Sequence, residues 1–227
     1  MKKRIGILGG MSHESTIKYY ELILGKYFET HKDYYYPEVV IFSVDFQKLS
    51  DFENNKDMKG YVKYLQRGIS SLEKAGAEFI IMAANSPHAV FDEVQKQAAV
   101  PMISIAEVTA KKAERDGMKK LLLLGIKFTM QSSFYQNVCK KYGIEIIVPN
   151  EQEQDEINRI IFKELVIGKF NEDSKNKLLE IINNYKVDGV ILGCTELPLI
   201  LEQKDSDKKL LNTLELHAKA ALEYSIS

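Results

Sequence analysis

The chain has no tryptophan, five prolines and only two cysteines in 227 residues. Cys139 and Cys194 are far apart, so neither a disulfide framework nor a cysteine-based metal motif is available. A reducing cytoplasm is the compartment that such cysteine usage fits. The four histidines, His13, His31, His88 and His217, show no ligand spacing, so no metal centre is expected. No apolar run is long enough to cross a membrane, and the basic-then-apolar start is cut short by Gly9 and Gly10, unlike a secretory leader. A net charge of -1 offers no broad cationic face to nucleic acid or anionic lipid. There is no Gly-x-Ser-x-Gly elbow for a serine hydrolase. Gly6 and Gly9 lack the third glycine of a dinucleotide fingerprint.

What is present is an ordinary globular composition, 45% hydrophobic and 28% charged. Short apolar runs at 4–8, 38–44, 78–83, 102–105, 120–124, 144–148 and 189–192 read as strands. Several are apolar at consecutive positions, as parallel strands buried on both faces are. Helical patterns lie between them at 16–28, 58–75, 132–142, 155–167 and 174–185, and the polar stretch 51–59 reads as a loop and helix start. This alternation is that of an α/β fold with mainly parallel sheets.

An internal repeat refines it. Ile5-Gly6-Ile7-Leu8-Gly9 resembles Leu121-Leu122-Leu123-Leu124-Gly125, with Tyr19 and Tyr135 at the same offset. Residues 78–86 resemble 188–196, and in that register Ala84 is the counterpart of Cys194. Two matches in the same order predict two related α/β halves, with ligand in a cleft between them at the C-terminal ends of the strands.

Three strand-end loops are candidates for chemistry. Gly9-Gly10-Met11-Ser12 can turn tightly and present amides to an anion, or simply join strand to helix. In Ala84-Asn85-Ser86-Pro87-His88, Ser86 is a candidate N-cap and Pro87 a first helical residue. Cys194-Thr195-Glu196-Leu197-Pro198 repeats that arrangement. Helix dipoles aimed at the site would lower the Cys194 pKa and make a thiolate base available. Cys139, inside an amphipathic pattern, reads as core. His88 and His217 either face the site or pack.

Residues 9–16 and Gly193-Cys194-Thr195-Glu196 resemble the aspartate/glutamate racemase family. Residues 43–46, 157–162 and 192–196 are similar to its aspartate racemase branch in particular. The resemblance spans nearly the whole chain. It implies two pseudo-symmetric, mainly parallel α/β domains, 1–107 with 212–227 and 108–211, around a cleft holding the active site. It also implies no pyridoxal phosphate or other cofactor, no metal, a homodimer, and a small acidic amino acid, aspartate or glutamate, as substrate. Two thiols would face the α-carbon from opposite sides. Cys194 is the one this chain keeps as acid/base. Met11, Ser12, Asn85, Ser86, Thr195 and Glu196 are the implied substrate-binding positions, whereas Lys163 reads as a surface lysine. The departure is at Ala84, because the family usually has Cys-Asn-Thr where this chain has Ala84-Asn85-Ser86. A methyl group cannot move a proton. Either another group serves the opposite face, with Ser86 and then His88 as candidates, or the chain is a one-base lyase or decarboxylase on a diacid, or it binds acidic amino acids without turnover.

Overall fold

Every residue of β1 (Ile5–Gly9) and β3 (Phe79–Met82) is buried, so each strand needs cover on both faces. The computed structural model, which describes residues 2–227, shows how that cover is supplied. Contacts divide the chain into two units: residues up to Ile105 together with Leu214–Ser227, and Ala106–Thr213.

In the first unit four parallel strands lie in the order β2-β1-β3-β4, with β2 at Val39–Ser43 and β4 at Met102–Ile103. Leu8, Ile80 and Met82 face one side, where they pack against Leu49 of α2 (Phe46–Asn54), Leu65, Ile69 and Leu72 of α3 (Met58–Lys74) and Val94 of α4 (Phe91–Gln97). Ile5, Ile7, Phe79 and Ile81 face the other. There they meet Tyr19, Ile23 and Tyr27 of α1 (His13–His31), and Leu214, Ala218 and Leu222 of the chain's last helix, which runs Thr213–Ile226. The helix at His13–His31 starts three residues before the apolar pattern does because Ser12 caps it: its hydroxyl accepts from the Ser15 amide at 3.3 Å. It ends where Lys32 turns left-handed at φ 57° and returns its N–H to Phe28 O.

The second unit repeats the plan with the order β6-β5-β7-β8, in which β5 is Lys120–Leu124, β6 Glu145–Ile147, β7 Gly189–Leu192 and β8 Lys209–Asn212. α5 (Ile105–Arg115) leads into it, and α6 (Lys127–Gln131) and α7 (Phe134–Lys140) follow β5. Leu122, Leu124, Val190 and Leu192 pack on Ile157, Ile160 and Ile161 of α8 (Glu151–Lys163) and on Leu178, Ile181 and Ile182 of α9 (Glu172–Asn183). The helix at Thr213–Ile226 becomes α10 in chain order. The fold is thus mainly parallel α/β, built from two four-stranded sheets of the same strand order.

Two sequence expectations are corrected. Residues 51–54 complete α2 rather than forming a loop; Asp45 caps that helix, accepting from the Lys48 amide. The strand expected over 102–105 stops at Ile103, because Ile105 opens α5. β8 shows in the sequence only as a strand end at Asn212-Thr213, since its lysine and asparagine ends mask a short edge strand.

Candidate functional site

Each sheet carries its third-numbered strand beside the central one, and a loop leaves that strand's C-terminal end. Ala84 is the second residue after β3, and Cys194 is the second residue after β7. The topology therefore makes them equivalent positions in the two units, as the internal repeat implies. Tyr19 and Tyr135 are both fully buried, one in each unit.

In the first unit, Gly10 sits at φ +85°, and a Cβ there would lie 2.5 Å from both the Ser43 hydroxyl oxygen and the Val44 carbonyl. Only glycine permits this turn. The Gly10 amide donates to Thr16 Oγ1, and Thr16 donates on to Ser12 O. Met11 and Ser12 are buried, and Ser12 begins a helix of 19 residues. First-turn amides of such a helix attract anions. Met11, Ala84 and Tyr61 belong to one apolar cluster.

The loop after β3 differs from expectation. Ser86–Val90 is a 3-10 turn, and Ser86 does not cap it; Asn85 holds the cap position with no side-chain bond to it. The Ser86 hydroxyl instead donates to Glu53 of α2. Glu53 also accepts from the Tyr61 hydroxyl at 2.8 Å. Burial raises the Glu53 pKa, and the bonds from Tyr61 and Ser86 oppose that rise. Tyr61 is fully buried, whereas Ser86 is partly exposed. Sequence patterns missed Glu53 and Tyr61 because they lie on helices far from any motif.

His88 is 2% exposed. Its Nε2 accepts from the Ile105 amide at 3.1 Å, which leaves Nδ1 to donate to Ala84 O at 3.0 Å. Burial, then the neighbouring His217, push its pKa down to about 3. With both nitrogens engaged and the ring held neutral, His88 is a buried pin rather than a proton carrier. His217 is likewise fully buried, with Tyr19 OH donating to Nδ1 at 2.9 Å and Nε2 donating to Ile103 O at 2.8 Å.

In the second unit, Cys194 is half-buried and donates to Glu196 Oε2 at 2.9 Å, and Thr195 Oγ1 donates to the same oxygen at 2.8 Å. Glu196 is 6% exposed. Burial, the Glu196 charge and the hydrogen bond to Glu196 push the Cys194 pKa well above its usual value. The lowered pKa expected from a helix dipole is thus overturned. The following Leu197–Leu199 is only a 3-10 turn of three residues, too short for a substantial dipole, and the adjacent charge is negative. Cys139 is fully buried, with its pKa raised to about 12 by burial, as a core cysteine should be.

Gly125 follows β5, and a Cβ on it would lie 2.9 Å from Gly193 O, so the two strand-end loops of this unit touch through glycine. Thr129 nearby has a buried hydroxyl with no hydrogen-bond partner among the described residues. Asn158 of α8 accepts from the Lys127 amide at 2.8 Å, which gives that motif residue a structural task. Lys163 is exposed. Among the described residues no group of three or more His, Cys, Asp or Glu is placed to hold a metal ion, and no helix is long and apolar enough to cross a membrane.

Comparison with known proteins points the same way as these loops. The Asp/Glu/Hydantoin racemase profile matches residues 8–221. The broad specificity amino-acid racemase RacX of Bacillus subtilis is 30% identical, over 96% of each chain. An aspartate racemase homologue from Pyrococcus horikoshii has a TM-score of 0.87 at 41% identity, with all of both chains covered. The aspartate racemase of Picrophilus torridus has a TM-score of 0.79 at 26% identity, covering 98% of this chain and 94% of its own. These relatives support amino-acid racemisation as the general activity, and the chain belongs to the Asp/Glu/Hydantoin racemase family.

Proposed function

We propose that the protein is a cofactor-independent racemase of aspartate or glutamate in which Cys194 is the acid/base on one face of the α-carbon. The observation that carries this reading is the Cys194 thiol donating to a buried Glu196 at the end of β7. A thiol kept protonated by that neighbour can give a proton to a carbanion, and Glu196 can take the thiol's proton in the opposite direction. The Met11-Ser12 turn at the start of α1, with Asn85 and Thr195, would hold the carboxylates. Donors fixed before reaction are worth most where charge develops, here on the enolate-like intermediate. The reading also keeps the chain in a reducing cytoplasm, where both cysteines stay free, and as a homodimer, which light scattering reads directly.

The test is a chiral assay in deuterated water on aspartate, glutamate and a panel of other amino acids, with and without Ala84→Cys. Inversion with deuterium incorporation is expected for an acidic amino acid. Restoring a thiol at position 84 should raise inversion by up to about 10²–10⁴-fold. Carbon dioxide release from a diacid instead would make the protein a lyase, and binding with neither inversion nor exchange would make it a sensor.

A further inference from the structure

α1 packs Tyr19, Ile23 and Tyr27 against the first sheet, which occupies one face of the helix. A second apolar line runs along its outer side. Ile17, Tyr20, Leu24 and Phe28 follow at the i+3 and i+4 steps that stack side chains along one side of a helix. Ile17 is 54% exposed and Tyr20 43%; Phe28 is exposed at the far end, and Leu24 is half-buried between them. The line continues past the helix, because the Tyr34 ring, 78% exposed, stacks on Phe28 with 5.5 Å between ring centres. Single apolar residues on a surface need no explanation, whereas a contiguous apolar line marks a contact. Gly25 lies beside this line, with nothing within 4 Å of the place a Cβ would take. Its bare backbone leaves room for a large side chain from outside the chain.

We infer that a second copy of the chain docks along this line, with the two α1 helices antiparallel about a two-fold axis beside Ile23 and Leu24. The charges select that partner and that direction. α1 reads Lys18, Glu21, Lys26, Glu29, an order that changes sign when it is reversed about its midpoint. Within one chain these residues pair as Lys18–Glu21 at 3.3 Å and Lys26–Glu29 at 3.1 Å. Laid antiparallel on its copy, the helix brings Lys18 opposite Glu29 and Glu21 opposite Lys26. The intrachain pairs then join into one network of alternating sign across the contact. A parallel copy would set each charge beside its own kind. The same reversal sets Ile17 against Phe28 and Tyr20 over Gly25, whose open space takes the ring. Such a contact uses the same patch on both copies and closes as a dimer.

The area suits a dimer as well. An aromatic side chain carries about 150–250 Å² in all, so the exposed fractions of Ile17, Tyr20, Phe28 and Tyr34 amount to roughly 400 Å² of apolar surface per copy. A standard interface covers about 800 Å² per partner, of which just over half is apolar. The line supplies that apolar share, and Lys18, Glu21, Lys26 and Glu29 supply the polar rim. A helix that lies on a membrane surface carries mainly basic residues beside its apolar side, whereas here acidic and basic residues alternate. The inference names the surface behind the homodimer proposed above, and it does not depend on which substrate the protein takes.

Sedimentation velocity of the full chain over a range of concentrations reads the association. Wild-type protein should run as a dimer. Tyr20→Glu brings a charge from each copy into the contact and should weaken association by about 30-fold or more. Its circular dichroism should stay that of wild type, since the side chain lies outside the core. Gly25→Gln is a better helix former and should fold at least as well as wild type, yet it should associate more weakly because the new side chain fills the space meant for Tyr20. Charge reversal tests the register. Lys18→Glu and Glu29→Lys should each weaken the dimer, and an equimolar mixture of the two should dimerise again, because every position 18 then faces the opposite sign at position 29 of its partner. The intrachain pairs are the same in the mixture as in each variant by itself, so recovery reports an antiparallel contact between chains. A wild-type dimer that ignores Tyr20→Glu and Gly25→Gln would put the dimer contact elsewhere and overturn the inference, as would a mixture that associates no better than its parts. A wild-type monomer at every concentration would overturn it together with the homodimer and leave the line to a different macromolecule. The chiral assay for racemisation stands apart from all of these outcomes.

Discussion

Cys194 and Ala84 occupy equivalent positions, but their surroundings differ in ways that only neighbours reveal. A cysteine after a buried strand looks like a low-pKa thiol until the carboxylate two residues on is seen to accept its proton. The Glu196 charge disfavours the thiolate, so Cys194 rests as a thiol. Alkylation by iodoacetamide should therefore be slow at pH 7 and quicken as the pH rises. Glu196→Gln removes the opposing charge, lowers the Cys194 pKa and should speed alkylation severalfold at fixed pH, as mass spectrometry of the Cys194 peptide would show. No change in rate would mean that burial alone governs the thiol. Cys139, buried and pushed up to about 12, should stay unmodified while the protein is folded.

At the scale of elements, the buried histidines tie secondary structures together. His88 joins the turn after β3 to the start of α5, and His217 joins α10 to α1 through Tyr19 and to β4 through Ile103 O. Their rings meet edge to face at 5.8 Å. Burial holds the pKa of His88 at about 3 and that of His217 at about 4, both below the unfolded value of 6.5. Both groups bind protons more readily in the unfolded chain, so the stability they contribute is complete above pH 6.5 and is lost as pH falls towards 4 and then 3. Each tenfold difference in proton affinity is worth about 1.4 kcal/mol, so the pair should cost the fold roughly 5 kcal/mol between pH 6.5 and 4. Urea unfolding of wild type and His217→Gln at pH 7, 5 and 4 checks this. The variant should start less stable but show a shallower pH dependence, and parallel slopes would remove the histidines as the cause.

At the scale of the whole molecule, the chain leaves its first unit after Ile105 and returns to it at Leu214. α10 covers the face of the first sheet that holds Phe79 and Ile81, with Ala218, Ala221 and Leu222 in contact there. A fragment of residues 1–105 should therefore lack a closed core. Losing several buried aliphatic side chains, each worth about 1.5–3 kcal/mol, should leave it loosely packed. Proton NMR of the fragment should show poor dispersion that improves when residues 106–227 are supplied. Well-dispersed spectra from the fragment alone would refute this.

The sequence by itself determined the strand periodicity, the two-unit repeat, the pairing of Ala84 with Cys194, and the family. All of these depend on local apolar pattern and on short motifs near strand ends, which are written consecutively in the chain. It determined less at the edges, where the short β8 and the end of α2 depend on neighbours as much as on pattern. Only the tertiary structure decided the chemistry of the candidate groups. Glu53 and Tyr61 meet Ser86 across more than twenty residues of chain, the two nitrogens of His88 are occupied by backbone from the loop after β3 and from α5, and Glu196 turns back on Cys194 rather than outward. Proton affinity depends on burial and on which charges lie within a few ångströms, and those distances are set by folding rather than by spacing along the sequence.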